Sequence, residues 1–434
     1  MHTKGTTATA IAALMAFGAQ AGELDRSNQP IGAVFAPSGT FEFSIGRVEP
    51  SVTGEDIGNT GSYDAVRGYT QLGASYTQDI NNQFSYSIIV DEPFGSDVFY
   101  DDDPLTSYLG GTSASIDTTS ITFVGRYKFS DRFSVYGGPR FQQAGGTVRL
   151  NGAAYRTAFG ARAVATQLGF STDDLAAAAA GNRAAFATVA GALVGAGVIP
   201  AAAASNPAIV AAALQGAVAN GQGAFAATGG YRVDLEDEIE IGYVLGAAYE
   251  IPDIALRASA TYNSAIEYDA ATSEQIFAPS VETGATTYKT PQSINLDFQT
   301  GIAEGTLLTA SYRWADWSEF DVIPPVLGRN LSTTEDVHRF TIGVARRFNE
   351  AFAGSVTLAY ERERNDGVVS PLNPTDGQVG LTVGGRYTAD NLDVTGGLNY
   401  TWIGEAQPGV GGQPVASFED NHAVGVGLRV AYRF

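Results

Sequence analysis

The segment Asn421–Phe434, with the sequence NHAVGVGLRVAYRF, decides the fold class of this chain. Apolar side chains occupy every second position from Val424 to Phe434, and the positions between them carry Ala, Gly and Arg. Because successive side chains of a β-strand point to opposite faces, one face is wholly apolar and the other is small or cationic. A half-buried edge strand of a soluble sheet shows the same alternation. An aromatic residue at the last position, with another two places earlier, favours the closing strand of an outer-membrane β-barrel.

The opposite end of the chain has the pattern of an export signal. Met1–Lys4 is positively charged, Ala8–Ala19 is small and apolar, and an A-x-A cleavage motif ends at Ala21. We therefore predict a signal peptide over residues 1–21 and a mature chain that begins at Gly22. The apolar run is shorter than the roughly 20 residues of a membrane-spanning helix. An exported chain of this kind is periplasmic, secreted or a barrel, and the last strand favours the barrel.

Composition fits a barrel and argues against other classes. The chain has 52 Gly, 23 Phe, 20 Tyr, no Cys and a formal net charge of −21. Gly and aromatic residues suit curved strands and the aromatic belts of a membrane barrel. Without Cys no disulfide framework forms, and the negative charge disfavours a nucleic-acid partner. We predict no cofactor, and we expect the acidic outer loops to meet outer-membrane lipid and lipopolysaccharide.

Alternating segments recur along the mature chain and are joined by connections of two sizes. Short turns are predicted at Asn81-Asn82, Ser130-Asp131, Pro252-Asp253, Glu304-Gly305, Asn349-Glu350 and Asp390-Asn391. Longer polar connections are predicted near residues 53–62, 97–118, 151–231, 269–286, 321–336, 364–377 and 404–420. These connections join fourteen strands, and an even number places both termini on the periplasmic side. The prediction is therefore an all-β, 14-stranded antiparallel transmembrane β-barrel over residues 39–434.

Two segments depart from a plain barrel. Residues 22–38 precede the first strand and hold an apolar cluster that includes Val34 and Phe35. We interpret them as a short N-terminal plug in the lumen, although a disordered leader explains the same composition. Residues 157–228 are dominated by Ala and Gly and predict two or three helices. Their breaks are expected near Gly195, Pro200, Pro207 and Gly221. This helical extracellular loop either receives an apolar ligand or partner or serves as a structural cap.

Three local motifs accompany this layout and give it a family resemblance. They are Asn82-Gln83-Phe84 at strand three, Lys289-Thr290-Pro291 before strand eight, and Tyr312–Phe320 on strand nine with its Trp-Ser-x-Phe-like element. In their order and spacing the chain resembles the FadL/TodX family of outer-membrane transporters for long-chain fatty acids and other hydrophobic compounds. The resemblance implies passive uptake across a Gram-negative outer membrane. Substrate is captured at the outer loops, passes to a pocket in the lumen and leaves sideways into the membrane.

The resemblance also implies a side exit at strand three. Pro93, Phe94 and Gly95 are the candidate lateral gate, because Pro lacks a ladder N–H and Gly tolerates unusual torsions. A strand that simply ends before an acidic loop explains the same residues. The plug is shorter than in the best-known members, and the family's Asn-Pro-Ala element is replaced by Ala36-Pro37-Ser38.

Candidate substrate contacts follow from the same resemblance. Arg149, at the outer end of strand five, matches an arginine that holds the substrate carboxylate, with Arg140 as its competitor. Arg329, in the loop after strand nine, matches a second cationic ligand. A cation beside an apolar pocket selects acids over neutral hydrocarbons, although solvated surface arginines explain both positions. The predicted apolar contacts are Phe141, Val148 and Leu150 in the pocket wall and Val34 and Phe35 at the tip of the plug.

Other classes of function remain open at this stage. A general diffusion porin for polar solutes is the nearest alternative, and the acidic clusters Asp101–Asp103 and Asp234–Glu238 could line its pore. An adhesion protein could use the same acidic loops. A barrel lipase needs a nucleophile, a base and an orienting group, and neither His338 nor His422 has a recognisable companion. We therefore predict no enzyme. We expect the strand ending at Phe434 to engage the barrel-assembly machinery.

Overall fold

The computed structural model describes residues 24–363 and 368–434, so the predicted signal peptide lies outside the described residues. Within the described residues, fourteen strands form one closed antiparallel barrel, which confirms the predicted fold. The strands are β1 Thr40–Ser51, β2 Tyr69–Asp79, β3 Phe84–Asp91 with Gly95–Phe99, β4 Ser113–Lys128, β5 Phe133–Leu150, β6 Tyr231–Ile251, β7 Leu256–Asn263 with Ile266–Gln275, β8 Glu282–Thr290 with Ser293–Ala303, β9 Thr306–Ala315, β10 Val337–Arg347, β11 Phe352–Glu361, β12 Gln378–Ala389, β13 Leu392–Ile403 and β14 His422–Arg433.

The first and last strands close the barrel. Their pairing runs without a shift from Thr40 opposite Arg433 to Ser51 opposite His422. On β14, the side chains of Val424, Val426 and Leu428 are exposed. The alternation that suggested a lipid-facing strand therefore places these residues on the outside of the closed wall. A closed wall pairs every strand on both sides, as hydrocarbon surroundings require.

The two halves of the interior differ in polarity. Towards the short turns, buried inward side chains are mostly polar or charged, and they include Arg126 and Arg386, with the half-buried Arg257 beside them. Towards the long loops, aliphatic and aromatic side chains from the strands and the loops form the largest buried apolar cluster, beside the buried ion pairs of Arg313 with Asp25 and of Arg339 with Glu361. A hydrophobic molecule that enters from the outer end therefore meets this apolar cluster before the charged side chains near the short turns.

Two predicted loops are much shorter than expected. Strands β3 and β4 continue their ladder to Phe99 opposite Ser113, so the loop predicted at 97–118 covers only residues 100–112. The loop predicted at 269–286 shrinks to residues 276–281, because Glu274 still pairs with Glu282. In both cases polar residues belong to strand ends that project beyond the membrane, where polarity does not disfavour a strand.

The wall is interrupted at two places. At the β2–β3 interruption, pairing of the two strands stops at Ala74 opposite Val90, and β3 is broken between Asp91 and Gly95. The segment Tyr69–Gly73 there faces Glu92–Gly95. At the β6–β7 interruption, pairs stop at Asn263 opposite Val244 and resume at Thr272 opposite Leu235. At these two sites, neighbouring strands leave several consecutive residues without a backbone partner in the adjacent strand.

Helices and two small sheets cover the outer end. The insert holds α1 Ala153–Leu168, α2 Thr172–Ala179, α3 Arg183–Gly195 and α4 Pro207–Ala227, with a 3₁₀ turn at Ala201–Ala203 between α3 and α4. Outside the insert, 3₁₀ turns lie at Gly32–Phe35, Pro252–Ile254 and Trp317–Glu319. The small sheets consist of Thr53–Asp56, Ser62–Asp64 and Ala416–Phe418, and of Val368–Val369, Gln407–Val410 and Gln413–Pro414. The insert begins earlier than predicted and has four α-helices. Gly221 does not break α4, because it allows close contact with Gly160 of α1, whose carbonyl oxygen would lie 2.9 Å from a Cβ at Gly221.

The helices of the insert pack mainly on one another. Ser171 caps α2 in a reciprocal box with Asp174, and Asn206 caps α4 ahead of Pro207. Phe159 of α1 stacks on Phe225 of α4 with ring centroids 4.9 Å apart. Among the described residues no single helix is long and apolar enough to cross a membrane, whereas the pair α2 and α3, bent by 120°, passes by length and composition alone.

Candidate functional site

A continuous aromatic path crosses the outer half of the lumen. Phe94, at the β2–β3 interruption, meets Trp317 edge-on with ring centroids 5.1 Å apart. Trp317 meets Phe320 at 5.3 Å, and Phe320 meets Tyr288 at 6.1 Å. Tyr288 stacks on Tyr268, which lies at the β6–β7 interruption. These five side chains form an apolar contact surface between the two interruptions, and we call them the aromatic path.

A small cavity lies against β1, β3, β13 and β14. Its volume is about 50 Å³. Its walls combine apolar side chains, among them Val48, Val52, Val98 and Ile403, with the charged side chains of Asp25, Arg67 and Asp97. Arg26, Tyr69 and Gly95 also line it, so the cavity reaches the β2–β3 interruption. The apolar interior and the broken strand therefore belong to one continuous site.

The predicted pocket residues separate by strand parity. Val148 and Leu150 are buried and belong to the apolar interior, so they remain predicted pocket walls. Phe141 has the opposite parity on β5 and is exposed on the outer face, where its ring meets Phe123 at 6.2 Å. The structure therefore corrects the placement of Phe141, which faces lipid rather than the pocket.

The three candidate arginines lie in different environments. Arg149 has the parity of Phe141 and lies on the outer face of the rim beside Arg232 and Asp234, away from the lumen. Arg140 faces inward and is buried, and its Nε donates to Thr122 Oγ1 at 3.0 Å. Its electrostatic neighbours are Asp91, Arg313 and Tyr268. Of the two strand-five arginines, only Arg140 can reach a ligand in the lumen.

Arg329 is exposed at the outer mouth, next to Arg162 of helix α1. Partial burial and the nearby Arg329 charge lower the pKa of Arg162 below its ordinary value. Two neighbouring cations favour an anion at this mouth. Beneath them, the fully buried Glu274 accepts hydrogen bonds from Tyr231 Oη at 2.8 Å and from the backbone N–H of Leu327 at 2.9 Å. This carboxylate fixes the loop that carries Arg329 to the wall.

The N-terminal segment lies inside the barrel, as a plug would. Val34 and Phe35 are buried on the inner wall near the short-turn end, together with Ile31 and Tyr136. The ring of Phe35 meets Tyr136 edge-on at 5.7 Å, and the Arg257 guanidinium lies 4.2 Å from its centre. The two predicted tip residues therefore pack below the outer pocket, against charged neighbours rather than beside the aromatic path.

The upper part of this segment pairs with the broken strand. The backbone N–H of Arg26 donates to Pro93 O at 2.9 Å, and that of Gly95 donates to Leu24 O at 2.8 Å. Asp25 forms a bridge with Phe94 in the same antiparallel arrangement. The residues predicted as a lateral gate thus exchange backbone hydrogen bonds with the N-terminal segment on the side where β2 does not pair, while Gly95 stays opposite Asp117 of β4.

Sequence reasoning missed the residue that anchors the plug. The Arg313 guanidinium holds both oxygens of Asp25, at 2.8 and 3.1 Å, and also donates to Asn295 Oδ1 at 3.0 Å. The side chains of Arg313 and Asp25 are only 5% and 3% exposed. Their burial could not be predicted, because the two residues are 288 positions apart. The inward parity of Arg313 on β9 was the one available signal.

A closed barrel with an apolar exterior, an N-terminal segment inside it and an apolar cluster towards the long loops has the architecture of an outer-membrane channel. The sequence profile of one transport family matches residues 70–434. The chain belongs to that family, described as outer membrane protein transport protein (OMPP1/FadL/TodX). It is therefore a transport protein for hydrophobic compounds in the Gram-negative outer membrane and not an enzyme.

Solved structures share this fold at low sequence identity. A Pseudomonas aeruginosa FadL homologue is 12% identical with a TM-score of 0.64, over 93% of this chain and 92% of that one. The Pseudomonas putida toluene transporter TodX is 14% identical with a TM-score of 0.58, over 93% and 92%. The Ralstonia pickettii toluene transporter TbuX is 13% identical with a TM-score of 0.55, over 97% and 99%. No curated protein sequence matches the chain.

Proposed function

We propose that this protein takes up long-chain fatty acids or similar amphipathic hydrocarbons and releases them sideways into the outer membrane. The observation that carries the proposal is the division of the lumen. The aromatic path leads to the β2–β3 interruption, whereas charged side chains such as Arg126 and Arg386 fill the half below it. Each CH₂ group gains about 0.8 kcal/mol on leaving water. A hydrocarbon chain therefore favours the apolar region and, next, the lipid outside the wall.

The proposed route begins at the outer mouth, where Arg162 and Arg329 attract the carboxylate. The hydrocarbon chain then enters the apolar interior beside Val148 and Leu150. Arg140 is the proposed inner ligand of the carboxylate, in place of the outward-facing Arg149. The lateral gate at Pro93–Gly95 is the proposed exit, and it opens when the plug segment leaves it. Downhill transfer between apolar sites needs no energy source.

Arg140→Ala tests the carboxylate site, with Arg149→Ala as the matched control on the same strand. Purified protein in detergent is titrated with radiolabelled octadecanoate and with octadecane, which has the same chain length and no charge. Removal of a charge-assisted hydrogen bond costs about 1.5–3 kcal/mol, so Arg140→Ala should weaken octadecanoate binding about tenfold or more. Octadecane binding should not change. Equal losses for both ligands, or a loss only in Arg149→Ala, would contradict the assignment.

Small aromatic hydrocarbons are a second candidate substrate class. The aromatic path favours ring stacking, and two of the similar structures are named as toluene transporters. Toluene uptake by whole cells that exceeds octadecanoate uptake, together with no effect of Arg140→Ala, would favour this class. Planar-bilayer recordings test the porin alternative, because large steady ion currents from the wild-type protein would exclude a lumen closed by apolar side chains.

A further inference from the structure

The backbone of Arg26 belongs to the plug, whereas its side chain reaches the outer face of the barrel wall. Its backbone pairs with Pro93 inside the barrel, yet its Nη1 atom donates to Asp117 Oδ1 at 2.8 Å. Asp117 precedes Thr118 on β4. The side chain of Thr118 is buried and faces inward, whereas that of Asp117 faces outward and is 73% exposed. Arg26 itself is 8% exposed. One end of this residue is therefore attached to the plug and the other end to the outer face of the barrel.

The position of Gly95 shows where the guanidinium crosses. Gly95 pairs directly with Asp117, so the missing side chain of Gly95 would point to the same outer face. A Cβ atom at Gly95 would lie 2.5 Å from Arg26 Nε, which is closer than van der Waals contact. The guanidinium thus occupies the space that a side chain at position 95 would fill. A side chain at position 95 and the guanidinium in this place therefore exclude each other.

The opposite edge of the interruption completes the enclosure of Arg26. The guanidinium carbon lies 4.6 Å from the ring centre of Tyr69, which begins β2. Arg26, Tyr69 and Gly95 all line the 50 Å³ cavity. The side chain of Arg26, whose backbone pairs with this edge of β3, therefore lies between the cavity and the outer face of the wall, at the level where β2 and β3 do not pair.

We propose that Arg26 is the latch of the side exit and that Asp117 and Tyr69 hold it shut. The inference rests on the proposed function, because a latch needs a substrate that leaves through this opening. An ion pair with one well-exposed partner is weak, so it can break during each transport event. A planar guanidinium can lie on the Tyr69 ring and donate to Asp117 at the same time, which a lysine ammonium does less well. Displacement of the plug withdraws the latch and opens the wall.

A single-turnover experiment tests the latch directly. Wild-type protein in lipid vesicles is loaded with a fluorescent C18 fatty acid, and its release into the surrounding bilayer is followed by stopped-flow fluorescence. Arg26→Ala should speed release at least threefold, Arg26→Lys should speed it less, and Asp117→Asn should speed it about twofold. Ion conductance should stay at the wild-type level in all three, because the opening leads to lipid and the charged lower half remains.

Matched variants separate the latch from general effects. Arg232 and Asp234 form an exposed ion pair on β6 at 2.8 Å, and β6 is not an edge of the β2–β3 interruption, so Arg232→Ala should leave release unchanged. Asp117→Asn leaves every residue of the plug unchanged. It therefore tests the latch in a protein whose plug is bound as in the wild type, whereas Arg26→Ala also removes contacts of the plug itself. Release that is unchanged or slower in Asp117→Asn and Arg26→Ala overturns the latch. Failure of the wild-type protein to bind or release the fatty acid overturns the proposed function instead.

Discussion

The two interruptions of the barrel wall are similar in backbone and different in what covers them. At the β6–β7 interruption, the cover is Tyr268, a wall residue whose hydroxyl donates to the carbonyl oxygen of Gln142 at 3.3 Å. At the β2–β3 interruption, the cover is Arg26, which belongs to the plug. Both covers meet the apolar interior, since Tyr268 ends the aromatic path and Arg26 lines the cavity.

This difference decides which interruption can serve as an exit. Tyr268 is attached to β7 and packed on Tyr288, so it cannot move away without disturbing the wall. Arg26 can be withdrawn with the plug while every barrel strand keeps its partners. We therefore expect the β6–β7 interruption to act as a permanent seal and the β2–β3 interruption to act as the exit. The predictions below test this comparison by removing one cover or its support at a time.

The largest effect is expected when the plug loses its anchor. Arg313→Ala leaves the carboxylate of Asp25 buried without its cation, which costs about 3–5 kcal/mol of plug docking free energy. We expect the N-terminal segment to become sensitive to limited proteolysis, and release of fatty acid into lipid to accelerate. The double variant Asp25→Asn/Arg313→Gln should recover about half of the lost docking free energy, because neither residue then carries a buried charge.

Arg386→Ala is the control for this prediction. Arg386 forms an ion pair with Asp393 at 2.6 Å within the wall near the short turns, at a distance from the plug anchor. It should lower barrel stability without exposing the N-terminal segment to protease. A plug that stays protected in Arg313→Ala would show that Arg313 does not anchor it, and equal exposure in Arg386→Ala would show that any wall defect releases it.

Removal of the fixed cover should destabilise the wall without creating an exit. Tyr268→Ala leaves a cavity and loses the stack on Tyr288, at a cost of about 3 kcal/mol in denaturant unfolding. Tyr268→Phe loses only the hydroxyl contact, worth about 0.5–1.5 kcal/mol. In the Tyr268→Ala background, Arg26→Ala should still accelerate release by the same factor, because the two sites act independently. Loss of that additivity would mean that the two interruptions share one exit.

The sequence predicts the strands of this protein better than it predicts the interruptions. Period-two alternation and Asn- or Asp-containing turns were sufficient for fourteen strands, because one face of each strand must meet lipid. Parity alone also separates Phe141 and Arg149 from Arg140, Val148 and Leu150, since pairing of β5 with β4 keeps one parity across these positions. A wall residue chosen by its position along the strand, without its parity, is therefore placed on the wrong face.

Contacts of the plug lie beyond such reasoning. The pairs of Asp25 with Arg313 and of Arg26 with Asp117 join residues that no local pattern relates, and each depends on how the N-terminal segment enters the lumen. The sequence did mark Pro93 and Gly95 as a break. It could not show that Gly95 leaves room for an arginine from another segment, because that depends on three-dimensional proximity.

A side chain at position 95 should replace the removable cover by a fixed one. Gly95→Val alone forces the Arg26 guanidinium from its place and should change release by less than twofold, since the new group partly fills the opening. In Arg26→Ala/Gly95→Val, the valine fills the space left empty, and release should fall from the fast rate of Arg26→Ala to below the wild-type rate. Stopped-flow release measures both. If the double variant releases as fast as Arg26→Ala, the exit lies elsewhere.

The smallest effect is expected at Glu92, which replaces a missing ladder bond across the β2–β3 interruption. Its Oε2 accepts the backbone N–H of Leu72 at 3.0 Å, so a side chain here does what a carbonyl group does in a regular ladder. Glu92→Gln keeps an acceptor oxygen and should release fatty acid at the wild-type rate. Glu92→Ala loses one partly exposed hydrogen bond, about 0.5–1.5 kcal/mol, and should widen the opening enough to raise release by less than twofold. Both rates come from the same vesicle experiment. A larger acceleration in Glu92→Ala than in Arg26→Ala would mean that the strand edge, rather than the plug, controls the exit.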